Sequence, residues 1–190
     1  MKLLEDKILN DGVILPGNVL NVDSFLSQKI DAPFVEKLAE EWKRLFIEEN
    51  ITKIVTIESS GIGIACIAAL KFGVPVVYAR KIRSSSVSSD AYSAKVVSYT
   101  HGTSYDVTIP KMHLSDSDTI LIIDDFLANG SALKALIKIC EKAGSKIAGV
   151  GIAIEKSYQG GADKLREQGY RIESLAKIKK MDDVNGIEFC

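Results

Sequence analysis

Polar and apolar positions repeat with helical spacing in the first well-defined segment of the chain. Between Phe34 and Asn50 the apolar residues recur every three or four positions, with Glu and Lys on the opposite face. This pattern predicts an amphipathic helix that packs on a core. The β-branched run Lys53–Ile57 then predicts a strand, Glu58–Gly61 a tight turn, and the small apolar residues from Ile62 to Lys71 a second helix.

The same order of strand and helix recurs further along the chain. Gly73 and Gly144 stand where helices should end. Short, nearly continuous Val and Ile runs that alternate with helices are typical of a parallel sheet covered on both faces, so the predicted fold class is α/β. The additional predicted elements are strands at Val74–Ala79, Thr119–Ile123 and Ile147–Ile154 and a helix at Ser131–Ala143.

The segment from about residue 82 to residue 113 breaks this order. Alternating residues near Ala94–Tyr99 and Ser104–Ile109 predict a β-hairpin after a serine-rich stretch. A polar insertion of this length in a compact domain indicates a mobile lid or a binding loop, although a surface excursion without function is the alternative. The serines of the stretch are Ser84, Ser85, Ser86, Ser88 and Ser89.

Composition and charge limit the classes of function. A chain of 190 residues, 46% of them hydrophobic, is long enough to bury one sizeable core and short for two independent domains, so we expect a single domain over 1–190. The formal net charge of -1 predicts no nucleic-acid partner and no membrane partner. Acidic residues interrupt the segment Met1–Lys7 before any apolar run, which predicts a cytoplasmic protein without a signal peptide.

The three cysteines predict neither a disulfide framework nor a zinc site. Cys66, Cys140 and Cys190 are odd in number and widely spaced, and none belongs to a CxxC motif. Cys66 and Cys140 stand among apolar neighbours in predicted helices. We therefore expect these two as reduced core residues.

The segment from Leu121 to Ala132 carries the clearest chemistry. An apolar strand ends at Asp124 and Asp125, and a short loop of small and polar residues then opens a helix. In an open parallel sheet, ligands bind beyond the carboxyl ends of strands, where the next helix presents backbone N–H groups and the positive end of its dipole. This loop therefore predicts a phosphate site, with Ala128, Asn129, Gly130, Ser131 and Ala132 as its phosphate-binding residues.

The two adjacent carboxylates need a role other than phosphate binding. Asp124 and Asp125 can accept hydrogen bonds from vicinal sugar hydroxyls or hold a hydrated magnesium ion beside the phosphate. A phosphate site next to a diol site predicts a phosphorylated ribose as the ligand. Two alternatives stay open for the Asp pair alone, namely a helix cap and the acidic pair of a phospho-acceptor signalling domain.

This twelve-residue pattern resembles the diphosphosugar-binding signature of the type I phosphoribosyltransferases. The commoner form of the signature carries threonines where Asn129 and Ala132 stand, and the departure agrees with the xanthine-using branch of that family. The resemblance covers nearly the whole chain. It includes the segments Val22–Leu26, Ile51–Gly61, Gly73–Lys81 and Ala148–Lys156.

The resemblance also implies a fold and an arrangement of parts. It implies the type I phosphoribosyltransferase fold, a twisted parallel sheet flanked by helices. A small hood would be formed by residues 1–33 and 156–190, and the flexible loop and hairpin by about 82–113.

The resemblance further implies a site with several parts. Asp124 and Asp125 are expected as the catalytic pair, and Leu20, Ser27, Phe126 and Lys156 as purine-binding residues, with Lys156 donating to a 6-oxo group. Related enzymes usually carry Asn at the position of Ser27. The serine hydroxyl can still donate or accept a hydrogen bond, but it reaches less far than the amide. The expected pyrophosphate-binding residues are Glu58, Ser59, Ser60, Gly61, Arg80 and Lys81; a helix N-cap at Ser59 or Ser60 and a solvated basic pair are their alternatives.

The function that the resemblance implies is purine salvage. Xanthine and 5-phospho-α-D-ribose 1-diphosphate (PRPP) would give xanthosine 5'-monophosphate and pyrophosphate, with Mg²⁺ carried by PRPP near Asp124 and Asp125. A homodimer is expected, because in related enzymes a basic residue at the place of Arg80 and Lys81 can reach across the dimer interface. The alternatives are transfer to hypoxanthine or guanine, and a non-catalytic regulator that senses purine or PRPP with the same fold.

Overall fold

A mixed sheet with helices on both faces forms the protein in the computed structural model, which describes residues 1–82, 88–98, 103–182 and 184–190. The strands are β1 (Val13–Leu15), β2 (Val19–Asn21), β3 (Lys53–Ile57), β4 (Val76–Ile82), β5 (Ala91–Ser98), β6 (Thr103–Pro110), β7 (Thr119–Leu127), β8 (Lys146–Lys156), β9 (Ile172–Asp182) and β10 (Gly186–Phe189). The helices are α1 (Lys2–Asp11), α2 (Ala32–Leu45), α3 (Ser60–Phe72), α4 (Ser131–Lys142) and α5 (Gly161–Arg166).

Eight strands form one sheet in the order β10-β9-β8-β7-β3-β4-β6-β5, and β1 and β2 form a separate hairpin. The five central strands β9, β8, β7, β3 and β4 run parallel to one another, which confirms the predicted parallel core. Both edges are antiparallel, because β10 returns along β9 and the β5–β6 hairpin is added to β4. The predicted hairpin is confirmed, whereas Ser84, Ser85, Ser86 and Tyr99 lie outside the described residues.

The strand order reverses between β3 and β7. From β3 the chain passes through α3 to β4 on one side, and later enters β7 on the other side of β3. Connections that leave neighbouring parallel strands in opposite directions open a crevice beyond their carboxyl ends. The loops after β3 and β7 therefore border the same crevice, and they are the two segments in which the sequence predicts oxyanion binding.

Helix α2 shows how local sequence signals set the elements around the sheet. Asp31 caps its N-terminus by accepting a hydrogen bond from Phe34 N at 3.2 Å, and Pro33 occupies the first turn. The helix ends at Leu45, earlier than the predicted Asn50, although Phe46 beyond it is fully buried. Gly73 ends α3 with a left-handed φ of 72°, as its position predicts.

Two apolar clusters fill the two faces of the sheet. One contains Trp42 of α2 and Ile64 of α3, and the other contains Leu136 and Cys140 of α4. Cys140 is buried as expected, whereas Cys66 is exposed and the prediction that it is a core residue was wrong. Helix α3 is apolar on all sides, so its sequence pattern does not distinguish the buried face from the outer face.

The first and last segments of the chain meet at one edge of the sheet. Leu4 and Ile8 of α1 belong to the same apolar cluster as Leu175 and Met181 of β9. The Met1 ammonium group also donates a hydrogen bond to Leu175 O. Strand β9 of the predicted hood pairs with β8 and is thus part of the main sheet. The division of the chain into a core and a hood stays a prediction. No helix in the part of the chain that the structure describes is both long and apolar enough to cross a membrane.

Candidate functional site

The loop between β7 and α4 has the geometry of an anion cradle. Asn129 Oδ1 accepts a hydrogen bond from Ser131 N at 2.9 Å, and Gly130 at the N-cap position of α4 has a left-handed φ of 82°. Such a φ is costly for any residue with a Cβ, so this turn requires glycine. The first turn of α4 directs backbone N–H groups that have no partner within the helix toward the crevice. Ala128 and Ala132 flank this turn as the sequence predicts.

The paired carboxylates lie deeper than predicted. Strand β7 continues to Leu127, so Asp124 and Asp125 lie in the strand rather than after Ile123, and they are 6% and 8% exposed. Asp125 N donates to Asp124 Oδ1 at 3.0 Å, and Phe126 N donates to Asp125 Oδ1 at 2.9 Å. Burial, and next the charge of Asp125, raises the pKa of Asp124 well above its ordinary value. A positive group or a hydroxyl donor at this point would relieve the repulsion.

The loop after β3 contacts the carboxylate pair. A Cβ added to Gly61 would overlap Thr56 Oγ1 and would lie 2.7 Å from Asp124 Oδ1. The Glu58–Ser59 peptide bond is cis, and Glu58 Oε1 accepts a hydrogen bond from Lys81 N at 2.6 Å. The start of α3, just after the first predicted oxyanion loop, therefore packs against Asp124 of the carboxylate pair.

The first turn of α3 tests the alternative role of Ser59 or Ser60 as an ordinary helix N-cap. Ser60 is the first residue of α3 and Ser59 occupies the N-cap position. Within the described part of the chain, the Ser59 side chain makes no capping hydrogen bond. The hydroxyl of Ser59 is thus not used as a helix cap.

Arg80 and Lys81 lie within β4, which extends to Ile82 instead of ending at Ala79 as predicted. The antiparallel pairing with β6 accounts for the extension, since Arg80 is opposite Thr108 and Lys81 opposite Val107. Both side chains are exposed. Lys81 Nζ lies 5.8 Å from the centre of the Tyr105 ring. Of the two predicted cations, Lys81 stands beside the crevice, because its backbone N–H donates to Glu58 and its charge acts on Asp124.

The predicted purine side is assembled from three separate segments. Lys156 ends β8, where its Nζ donates to Asn18 O at 3.4 Å in the turn of the β1–β2 hairpin and lies 5.9 Å from the centre of the Phe126 ring. Burial lowers the pKa of Lys156. Leu20 is buried in β2 of the same hairpin. Lys156, Phe126 and the hairpin that carries Leu20 thus come together as predicted.

Ser27 is a predicted purine-side residue for which the described residues show no hydrogen bond to Lys156. It lies half-buried in the turn between β2 and α2, after the buried Leu26. Its assignment to the base stays a prediction.

Comparison with known protein families agrees with this geometry. The family model described as phosphoribosyl transferase domain matches residues 21–185. The chain belongs to the phosphoribosyltransferase family. The matched range includes both oxyanion loops, the carboxylate pair and Lys156.

Relatives of this phosphoribosyltransferase are similar over their whole length. The chain is 50% identical over 189 residues to xanthine phosphoribosyltransferase of Bacillus cereus (strain AH187), an alignment that covers 100% of this chain and 95% of that protein. It is 48% identical over 191 residues to xanthine phosphoribosyltransferase of Bifidobacterium adolescentis, with 100% and 99% covered. These similarities confirm the family that the sequence motifs indicate.

Among solved structures, APRTase from Giardia lamblia complexed with 9-deazaadenine has the same fold. The TM-score is 0.78 at 23% sequence identity, and the superposition covers 93% of this chain and 98% of that chain. At this level of identity the comparison supports the phosphoribosyltransferase fold alone.

Two residues near the site of this phosphoribosyltransferase escaped the sequence analysis. The first is Gly161, where an added Cβ would overlap Ala128 O and would lie 2.7 Å from Gly130 N, so it packs against the phosphate loop. The adjacent glycines Gly160 and Gly161 were the available signal. The second is Tyr105, whose pKa is raised by burial and then by the Asp124 carboxylate. No local motif marks Tyr105, because it reaches the crevice through the pairing of β6 with β4.

The carboxylate oxygens in the site of this phosphoribosyltransferase suit a metal ion that takes its remaining ligands from phosphates and water. Within the described ranges, no group of three or more His, Cys, Asp or Glu side chains is arranged to hold a metal ion. Asp124 and Asp125 supply adjacent carboxylates, which are oxygen ligands of the kind that Mg²⁺ prefers. Magnesium commonly keeps such a small number of carboxylates and takes its remaining ligands from phosphates and water.

Proposed function

We propose that this phosphoribosyltransferase converts xanthine and PRPP to xanthosine 5'-monophosphate and pyrophosphate. The observation that carries the proposal is the close packing of Gly61, beside the loop after β3, on Asp124 of the buried carboxylate pair, which lies in β7 shortly before the phosphate loop. Such a crevice suits a ligand with phosphate at one end, diphosphate at the other and a diol in the middle. The similarity to xanthine phosphoribosyltransferases supports xanthine as the acceptor.

In the proposed complex each part of PRPP has its own partners. The 5-phosphate is held by the loop Ala128–Ala132 and by the positive end of α4. The two ribose hydroxyls donate to Asp124 and Asp125, and a hydrogen bond to a charged group contributes about 1.5–3 kcal/mol. The diphosphate lies against Glu58–Gly61, where successive backbone N–H groups can bind oxyanions.

The proposed reaction exchanges two bonds at the anomeric carbon. The C1–O bond to pyrophosphate breaks, the bond from C1 to an imidazole nitrogen of the purine forms, and the purine loses one proton. Positive charge develops on the sugar while negative charge develops on the leaving group. Arg80 and Lys81 are proposed to stabilise the departing pyrophosphate electrostatically, Lys81 in its own copy and Arg80 across the interface to a second copy, while the loops hold the reacting atoms in line.

The purine is proposed to bind between Lys156 and the ring of Phe126, under Leu20 of the β1–β2 hairpin. The Lys156 ammonium group donates a hydrogen bond to an oxygen at position 6 of the purine. A 6-amino group, as in adenine, cannot accept that hydrogen bond. This preference favours xanthine, hypoxanthine and guanine over adenine. Ser27 is proposed to discriminate among the three at position 2.

Magnesium is proposed to enter with PRPP, with Asp124 and Asp125 nearest to it. When bound, Mg²⁺ neutralises pyrophosphate charge and stabilises it as a leaving group. The location of the enzyme in the cytoplasm stays a prediction.

We also propose that two copies of the chain associate. On the outer face of α3, Leu70 is 81% exposed, and Arg80 on β4 is exposed and free to extend toward a neighbouring copy. Light scattering of the purified protein should give twice the mass of the 20.7 kDa chain. A monomer mass at enzymatic concentrations would reject a role for a partner's Arg80.

The test of the function is an assay with radiolabelled bases. Xanthine, guanine, hypoxanthine and adenine are compared at saturating PRPP and Mg²⁺, with a control from which PRPP is omitted. The expected result is the highest kcat/KM for xanthine and negligible conversion of adenine. Conversion of none of the bases would reject the enzyme, and DNA binding without turnover would favour the regulator instead. Hypoxanthine or guanine as the preferred base would reject xanthine only.

A further inference from the structure

An ion pair between a buried carboxylate and a half-buried arginine lies beside the beginning of the phosphate loop. Glu155 in β8 is in register with Leu127 of β7 and is 1% exposed. Its carboxylate accepts hydrogen bonds from Arg166 Nη1 at 3.1 Å and Arg166 Nη2 at 2.6 Å. Ser157 Oγ donates to it at 2.9 Å and Ser174 Oγ at 2.6 Å. One carboxylate thus joins β8, α5 and β9.

Helix α5 connects this ion pair to the phosphate loop. Gly161, its first residue, packs so closely on the loop that an added Cβ would lie 2.5 Å from Asn129 C. Arg166, its last residue, is the partner of Glu155. Between them, Ala162 and Leu165 are buried against the same apolar cluster as Leu127. One end of α5 is therefore fixed by the ion pair, and the other end rests on the backbone of the loop.

Stability alone does not account for the ion pair. Removing two charges from water offsets their attraction, and an apolar pair of similar volume is often as stabilising. Burial opposes ionisation of Glu155, but the hydrogen bonds from Arg166, Ser174 and Ser157 hold its pKa below the ordinary range. The carboxylate therefore stays charged and keeps Arg166 in a fixed, two-point geometry.

We propose that Glu155 and Arg166 are positioning residues that set the place of α5 and, through Gly161, the shape of the phosphate loop. The inference rests on the proposed function, because it assigns the 5-phosphate of PRPP to that loop. A displacement of the loop weakens phosphate binding, since oxyanion hydrogen bonds depend steeply on distance and direction. The contacts of Lys156 with Asn18 and Phe126 do not pass through α5, so base binding changes less.

The test replaces Arg166 with methionine, which keeps an unbranched apolar stem and removes the guanidinium group and its charge. We expect Arg166→Met to raise KM for PRPP and Kd for ribose 5-phosphate about tenfold, and KM for xanthine less than twofold. The matched control is Arg171→Met, because Arg171 also forms an ion pair, with Glu173 at 3.0 Å, and donates to Leu45 O at 2.6 Å. This control should lower Tm and leave both KM values within twofold.

Two further variants make the outcome decisive. Ser174→Ala removes one hydrogen bond to Glu155 and serves if Arg166→Met fails to fold; it should raise KM for PRPP two- to threefold. In the double variant Gly161→Ala and Arg166→Met, KM for PRPP should rise by less than the product of the two single increases, because both substitutions act through α5. Unchanged KM for PRPP in folded Arg166→Met or in Ser174→Ala, equal increases in both KM values, or independent effects in the double variant would overturn the proposal. Failure of the wild-type protein to bind ribose 5-phosphate would instead contradict the proposed function.

Discussion

The phosphate loop and the purine side of the crevice are built in different ways. The phosphate loop comes from one continuous segment, in which Asn129 bonds to Ser131, Gly130 adopts a left-handed turn and α4 follows directly. The purine side joins the end of β8 to a hairpin near the N-terminus, and Lys156 reaches Asn18 across 138 positions of sequence.

This difference teaches which part tolerates change. The phosphate loop is held by backbone contacts between Gly130 and Gly161, and the carboxylate pair beside it by the close approach of Gly61 to Asp124; at these glycines there is no room for a methyl group or the φ is left-handed. The purine side is held by side chains at longer distances, since the Lys156 hydrogen bond is 3.4 Å long. Substitutions at the first region should therefore abolish turnover, and substitutions at the second should change the choice of base.

The largest effect is expected for Gly61→Ala. The added Cβ would overlap Thr56 Oγ1 and press on Asp124 Oδ1, so kcat/KM for PRPP should fall about 10²-fold or more, as expected when reacting groups are displaced by about 1 Å. Steady-state kinetics with PRPP as the varied substrate measures it. Gly63→Ala is the control in the same helix, because its Cβ meets only the flexible end of the Ile30 side chain. Equal losses in both variants would contradict the close fit at Gly61.

The next largest effect is expected for Asp125→Asn. Loss of a charged acceptor for a ribose hydroxyl should lower kcat/KM for PRPP about 10- to 100-fold, from about 1.5–3 kcal/mol for a charged hydrogen bond. KM for xanthine should change little. Asp118→Asn is the matched control, a buried carboxylate at the start of β7 that pairs with Lys53 at 2.9 Å. An unchanged KM and kcat in Asp125→Asn would refute the diol contact.

A tenfold effect confined to the base is expected for Lys156→Met. Loss of the charged donor should raise KM for xanthine about tenfold and leave KM for PRPP within twofold. Because burial lowers the pKa of Lys156, the donor is present below that lowered pKa and lost as pH rises through it. The pH profile of kcat/KM for xanthine should therefore fall at a lower pH than an ordinary lysine allows.

The variant and its control separate Lys156 from other groups. The alkaline fall due to Lys156 should disappear in Lys156→Met and persist in Lys179→Met, which alters an exposed lysine paired with Glu188. A KM for PRPP that rises as much as KM for xanthine would remove the distinction between the two regions.

The smallest effect is expected for Ser27→Asn. The longer amide should change the ratio of kcat/KM for xanthine to that for guanine about threefold to tenfold, the range of about one weak hydrogen bond. KM for PRPP should not change. Ser24→Asn is the control, since Ser24 is exposed and donates to Asp11 O. If the ratio is equal in both variants, Ser27 has no part in base selection.

The sequence predicted those features that depend on neighbours along the chain. The β3 strand, the glycine at the end of α3 and the loop Ala128–Ala132 follow from local residue pattern and turn chemistry. The end of β7 was placed too early, because aspartate is disfavoured in strands. Pairing with β8, which places Asp124 opposite Ile152, overrides that preference.

Features that depend on tertiary contacts could not be predicted. The contact of Gly161 with the phosphate loop and the approach of Tyr105 to Asp124 join distant segments. Cys66 was placed in the core because α3 is apolar on every side. The purine side was identified through family resemblance, since neither Lys156 nor Leu20 belongs to a motif with chemistry of its own.

Because Asp124 is buried, the binding of PRPP should be accompanied by the release of a proton. The raised pKa of Asp124 means that it retains a proton to a higher pH than an ordinary carboxyl group. A sugar hydroxyl donates a stronger hydrogen bond to the ionised carboxylate than to the protonated form, so binding of PRPP favours release of that proton into the buffer. The heat of binding should then differ between buffers of unequal ionisation enthalpy, and the slope of that dependence counts the protons that leave the crevice.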